Sequence, residues 1–195
     1  MKKRVLLYPA LAVFALLIII GIACKDTLFP PKLKLITSEN GYIITNQENV
    51  DFVISIDSSR LPESVFTPQG HTFKKNEVIV YQTETTTIYL ENAMLSNESG
   101  ELLYFSFDFD YDLPDAGTIL TTYRFLGNNS ATSVAKPSGS EITDDAGVHP
   151  DSVSLRGNGP GNKFVFYIAS ETCKNAEGVM TIGARCNQLS YIKGR

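Results

Sequence analysis

Residues 103–111 leave this chain the least freedom. Leu103, Phe105, Phe107, Phe109 and Tyr111 alternate with Tyr104, Ser106, Asp108 and Asp110, and Asp112 follows. A β-strand sends successive side chains to opposite faces, so a period of two gives one aromatic face and one acidic face. A helix would scatter the same residues around its whole circumference. A strand that is apolar on one face must lay that face against another layer, so the pattern demands at least two packed layers.

The rest of the chain repeats this period in shorter runs. Residues 33–37 and 41–45 read as strands around Ser38-Glu39-Asn40-Gly41, where Asn-Gly is a hairpin signal. Residues 50–57 put Val50, Phe52, Ile54 and Ile56 on one face. Residues 57–68 are rich in turn formers, and Pro62 and Pro68 argue against a central strand there. Residues 77–82 and 86–95 read as two more strands, and 118–126 as the hairpin partner of 103–111. Residues 127–163 are the loosest part, with one short strand at 152–156. Residues 163–171 and 178–185 form a hairpin in this reading, and 188–193 a last strand. About ten short strands with frequent turn signals predict an all-β fold, a single antiparallel β-sandwich or barrel-like domain over residues 33–195.

The first residues belong to a different physical class. Lys2, Lys3 and Arg4 precede an uncharged apolar run from Val5 to Ile20, then Gly21, Ile22, Ala23 and Cys24. A basic start, an apolar stretch and small residues before a cut describe a secretory signal peptide, residues 1–23. Residues 5–23 also approach the roughly 20 apolar residues of a spanning helix, so an uncleaved anchor is the competing reading. The small residues ending in Cys24 resemble the lipobox of bacterial lipoproteins. That resemblance implies a diacylglycerol on Cys24, which becomes the new N-terminus. Gly21 stands where such boxes usually carry an aliphatic residue, which keeps ordinary cleavage after Ala23 as an alternative. Lys25 and Asp26 resemble the short signal of surface-exported lipoproteins in Bacteroidota, and residues 24–32 read as a lipidated cysteine and tether stiffened by Pro30 and Pro31. Buried acyl chains contribute about 0.8 kcal/mol per methylene, enough for stable anchoring when more than one chain is present.

Charge narrows the partners. Residues 1–23 hold three of the 17 Lys+Arg and none of the 21 Asp+Glu, so the remaining 172 residues carry a net charge of −7. A nucleic-acid partner is excluded, because affinity for phosphate backbones comes mainly from Lys and Arg. One domain of this size buries enough surface to fold without a metal or a disulfide.

The chemistry-bearing residues point away from most enzyme classes. Asp108, Asp110 and Asp112 look like the start of a calcium loop, but Leu113 and Ile119 occupy the positions that need Gly and Glu. Those aspartates are expected on the wet face of a strand, with calcium a minor hypothesis. Gly157-Asn158-Gly159-Pro160-Gly161 lacks the Lys-Ser/Thr ending of a phosphate loop. His149-Pro150-Asp151-Ser152 holds triad residue types as neighbours, whereas triads meet in space. His71 and His149 are the two histidines, too few for a multi-histidine metal site, and no pattern asks for a cofactor. Asp151-Ser152-Val153 and Asp26-Thr27-Leu28 resemble a short bacterial O-glycosylation pattern. Of three cysteines, Cys173 and Cys186 remain as a pair once Cys24 is lipidated. A bridge between them would close a short loop and contribute about 3 kcal/mol, with two reduced buried thiols as the alternative.

The expectation is therefore a lipid-anchored protein of the cell envelope, on the outer membrane and facing the surface or the periplasm. Its domain would be a non-catalytic binding or structural module with a glycan or protein ligand. The alternatives are a surface-assembly subunit that accepts a strand at an open sheet edge, and an envelope hydrolase.

Overall fold

A computed structural model describes residues 36, 41–96, 101–127, 130–158 and 163–194. The leader, Cys24, the tether, the expected strand at 33–37 (apart from Ile36) and the Ser38–Asn40 turn lie outside them. Among the described residues no helix is long and apolar enough to cross a membrane.

The domain is all-β and antiparallel throughout. One sheet runs β1 (Tyr42–Asp57), β13 (Val179–Lys193), β9 (Lys136–Asp144) and β10 (Gly147–His149), with β6 (Ala116–Thr121) also paired to β13. The other runs β11 (Val153–Asn158), β12 (Phe164–Ala169), β5 (Leu102–Tyr111), β4 (Thr86–Leu95) and β2 (His71–Thr72), with β3 (Ile79–Gln82) also on β4. A separate hairpin pairs β7 (Tyr123–Gly127) with β8 (Ser130–Ser133). The two sheets share one core, as expected for a sandwich.

β5 behaves as its alternation requires. Leu103, Phe105 and Phe107 are fully buried, and Phe109 and Tyr111 nearly so. Phe107 packs 5.1 Å from the ring of Phe164 and 5.5 Å from that of Phe166, both on neighbouring β12. Fully burying one such ring stabilises by roughly 1.5–3 kcal/mol, so this aromatic cluster is a principal source of the sandwich's stability.

Two long strands correct the sequence reading. β1 joins the expected strands 41–45 and 50–57 into one, and β13 joins 178–185 and 188–193. They pair with each other over nearly their whole length, from Tyr42 opposite Lys193 to Asp57 opposite Val179. Along β13 the buried residues are Met180, Ile182, Ala184 and Cys186, and then Asn187, Leu189 and Tyr191. The buried parity switches between Cys186 and Asn187. Beyond the switch β7 lies against the ribbon, where Asn187 Nδ2 donates to the Tyr123 carbonyl at 3.0 Å. The alternation breaks because the covered face changes, while the strand continues.

Other expectations fail on pairing. Residues 118–126 do not partner β5; they divide into β6, which pairs with β13, and β7, which pairs with β8. Residues 163–171 and 178–185 are not a hairpin, because β12 and β13 belong to different sheets, joined through the one-turn helix α1 (Ser170–Asn175). The loose stretch 127–163 holds β8, β9 and β10 as well as β11. Residues 57–68 are turns as expected, built on 3-10 turns at Ser58–Arg60 and Glu63–Phe66. The Asp57 side chain accepts from the Ser59 amide at 3.0 Å and starts the first of them.

Candidate functional site

A cleft of about 260 Å³ lies between residues of the two sheets. Val50 of β1, Gln188 of β13 and Leu120 of β6 line it on the first sheet, and Tyr81 and Thr83 on the second. The Phe52 and Tyr81 rings meet across the two sheets at 4.7 Å. Thr83 is held by its turn: its hydroxyl accepts from the amide of Thr86 at 3.0 Å, and its own amide donates to the Thr86 carbonyl at 2.8 Å. The cleft thus combines apolar and aromatic walls with the polar side chains of Asp51, Thr83, Thr118 and Gln188.

Asp51 receives two hydrogen bonds from Arg185, at 2.7 Å each, in a fork geometry. That contact holds the Asp51 carboxyl below its ordinary range and raises the Arg185 guanidinium further.

The aspartates of residues 108–112 are each otherwise engaged. Asp108 accepts from the Tyr89 hydroxyl at 3.0 Å and from the Phe109 amide at 2.8 Å. Asp110 pairs with Lys75 at 2.8 Å. Asp112 lies past the end of β5, and its amide donates to the Thr85 carbonyl at 3.0 Å. Burial, and then the neighbouring Asp108 charge, push the Tyr89 phenol well above its ordinary value. Among the described residues no group of three His, Cys, Asp or Glu side chains is placed to hold a metal ion. Alternation spaces these acids along the strand, where the Asp108 and Asp110 carboxylates each meet a different partner. On the same outward face Glu91 is hydrogen-bonded to Lys163 and to Ser106, and the Tyr104 and Tyr167 rings meet edge to face at 5.7 Å.

The two histidines serve separate contacts. His71 Nδ1 lies 3.1 Å from the Ser64 hydroxyl, and its ring packs edge-on against Phe73 at 4.6 Å. A Ser–His pair needs an orienting acid to work as a nucleophile, and among the described residues no carboxylate bonds to this ring. His149 Nε2 lies 2.9 Å from Asp144 Oδ1. Asp144 is fully buried and also accepts from the amides of Ala146, Gly147 and Glu177. It closes the β9–β10 turn and ties it to the loop before β13, a structural task. Ser152 is buried, with its hydroxyl on the Pro150 carbonyl and Thr172, so it offers no free acceptor for a glycan.

Cys173 and Cys186 are free thiols, and the expected bridge is not formed. Cys173 sits in α1 and Cys186 in the middle of β13, both in the core, where burial pushes each thiol up to about 12. The pairing rested on a hairpin between their segments, and that hairpin does not exist.

Sequence reasoning missed the cleft because its walls come from four strands far apart in the chain. The alternation of residues 50–57 places Val50 and Phe52 on one face, but nothing local shows where the opposing sheet ends. Compared with known protein families, curated proteins and solved structures, the chain finds no match in any of the three.

Proposed function

We propose that this protein is a lipid-anchored component of the cell envelope whose β-sandwich works as a non-catalytic binding module. The anchor is the acylated Cys24, and residues 25–32 tether the domain to the outer membrane. The observation that carries the binding role is the cleft between the two sheets, with Phe52 and Tyr81 in contact and Thr83 and Gln188 at hand for hydrogen bonds. The Asp51–Arg185 fork sets a fixed ion pair at its wall. A net charge of −7 outside the leader disfavours nucleic acid and anionic lipid as ligands.

Protease shaving of intact cells, comparing the native protein with Cys24→Ala, tests the anchor. Loss of the native protein and release of the variant support a surface lipoprotein; a variant as membrane-bound as the native protein sinks the lipid reading. A photo-crosslinking residue at Thr83, against one at Ser154 on the second sheet, tests the site in the same cells. Adducts from Thr83 alone support the cleft, and equal labelling at both positions removes it.

A further inference from the structure

We propose that the ligand of this cleft is an extended peptide that adds to the free side of β1 as a new strand, carrying apolar residues inward and basic residues outward. This rests on the cleft as the binding site and names the class of its partner.

Two features of β1 coincide at the cleft. β1 is 16 residues long and pairs on one side with β13, and among the described residues no strand pairs with its other side. An antiparallel strand points alternate amides and carbonyls to each side, so a row of outward groups runs along that edge. The same strand lends Val50 and Phe52 to the cleft. Strand addition draws affinity from main-chain hydrogen bonds and specificity from pockets for alternate side chains, and here the edge and the pocket lie side by side.

Several defences of an exposed edge are missing from β1 at the cleft. It has no proline and no lysine, and its register irregularity falls between Ile44 and Asn46, before the stretch at the cleft. Val53 on β1 and Ile79 on β3 are 52% and 40% exposed, large for aliphatic residues beside a core. The occupant's charge follows from composition. Asp51 is paired with Arg185, and Asp57 caps the turn at the far end of β1. That leaves the exposed Glu48 on a strand with no basic residue, in a chain of net charge −7 outside its leader, so an incoming strand with lysine or arginine outward is favoured and an acidic one is repelled. A second copy fits less well. Antiparallel β1–β1 pairing centred on Asn49 and Val50 sets Glu48 of one copy opposite Asp51 of the other, like charges face to face.

The test uses the purified full chain in mild detergent and three synthetic probes: an alternating Lys–Val peptide, its Glu–Val counterpart, and the Lys–Val sequence interrupted by proline. Fluorescence polarisation should show the Lys–Val peptide binding at least tenfold more tightly than either control. Amide exchange should slow, when it binds, at the alternate amides of residues 46–54 that face away from β13. Gln188→Trp, which fills the cleft, should weaken binding at least tenfold with the melting temperature unchanged; Thr83→Arg, at the exposed rim, serves the same purpose if the first variant folds poorly. Equal binding of all three peptides, or protection on another strand, overturns the proposal. If the amides of residues 46–54 that face away from β13 are already slow to exchange in the free monomer, this chain covers its own edge, and if they are slow only in a dimer, a second copy does; either result also overturns it. A carbohydrate adduct from the Thr83 crosslinker would keep the cleft as a binding site while refuting the peptide.

Discussion

Gln47 grips the backbone of Phe125 with both ends of its amide. Its Oε1 accepts from the Phe125 amide at 2.9 Å, and its Nε2 donates to the Phe125 carbonyl at 3.0 Å. One side chain thus supplies what a neighbouring strand would have supplied to β7, and the contact spans 78 residues. Asn187, fully buried on β13 opposite Asn49, reaches the Tyr123 carbonyl, two residues before Phe125. These two amides fasten the β7–β8 hairpin to the β1–β13 ribbon. Gln47→Ala removes both bonds and leaves half-buried groups to find water, so a loss of about 1–2 kcal/mol is expected in urea denaturation. Faster amide exchange should appear in β7 first. A variant as stable as the native protein would mean the hairpin holds without the clamp.

The two faces of β5 should respond very differently to truncation. Phe107→Ala opens a cavity among Phe105, Phe164 and Phe166, at a cost of about 3–5 kcal/mol. Asp110→Ala on the outward face loses a partly exposed pair with Lys75 and should stay within about 1 kcal/mol. Thermal denaturation followed by circular dichroism reads both. Similar losses from the two would contradict the assignment of inner and outer faces.

Asp144 sets part of the acid sensitivity. The hydrogen bond from His149, above all, and the three backbone amides hold its carboxyl down to about 2, against the opposing pull of burial. A carboxyl whose folded value lies below its unfolded value near 3.8 adds stability that is complete above that unfolded value. The contribution is lost as the pH falls from there toward 2. Asp144→Asn should therefore be less stable than the native protein at neutral pH, with the gap closing as the pH drops through that window. A gap that stays constant down to pH 2 would show that the charge is irrelevant and the geometry alone matters.

Cys173 and Cys186 should be silent toward thiol reagents while the domain is folded. With each thiol raised to about 12 by burial, the reactive thiolate is about one part in ten thousand at pH 8. Iodoacetamide should leave both unmodified in buffer and label both in urea. Mass spectrometry should find the same mass before and after reduction; a gain of two hydrogens on reduction would restore the bridge.

Strand character was legible wherever one face alone is buried. β5 and β4 lie close to their expected positions and β3 starts two residues late; β5 is placed by an aromatic alternation that runs its whole length. β1 and β13 were each divided in two, since a sequence can show that a period breaks but not that the covering layer has changed sides. Pairing was the weakest inference. Residues 118–126 follow β5 directly, yet β6 lies on β13, because alternation records which face is apolar and carries nothing about the neighbour in the sheet. The polar stretch 127–163 concealed β9, whose buried residues, Pro137, Ile142 and Asp144, are few and unevenly spaced. The histidine pairs were invisible for a related reason: His149 meets Asp144 across a tight turn, while its sequence neighbours Asp151 and Ser152 face elsewhere.

β13 stands where three other strands meet, pairing with β1, β6 and β9. Its links to β1 bridge 134 residues between Arg185 and Asp51 and 140 between Asn187 and Gln47. Synthesis from the N-terminus makes those three strands first and the one that joins them last. Until residue 179 has been made, β1, β6 and β9 are three sticky ribbons with nothing to hold them apart from other chains. The order of making and the order of assembly run against each other, so the edges that β13 covers stay open until it emerges.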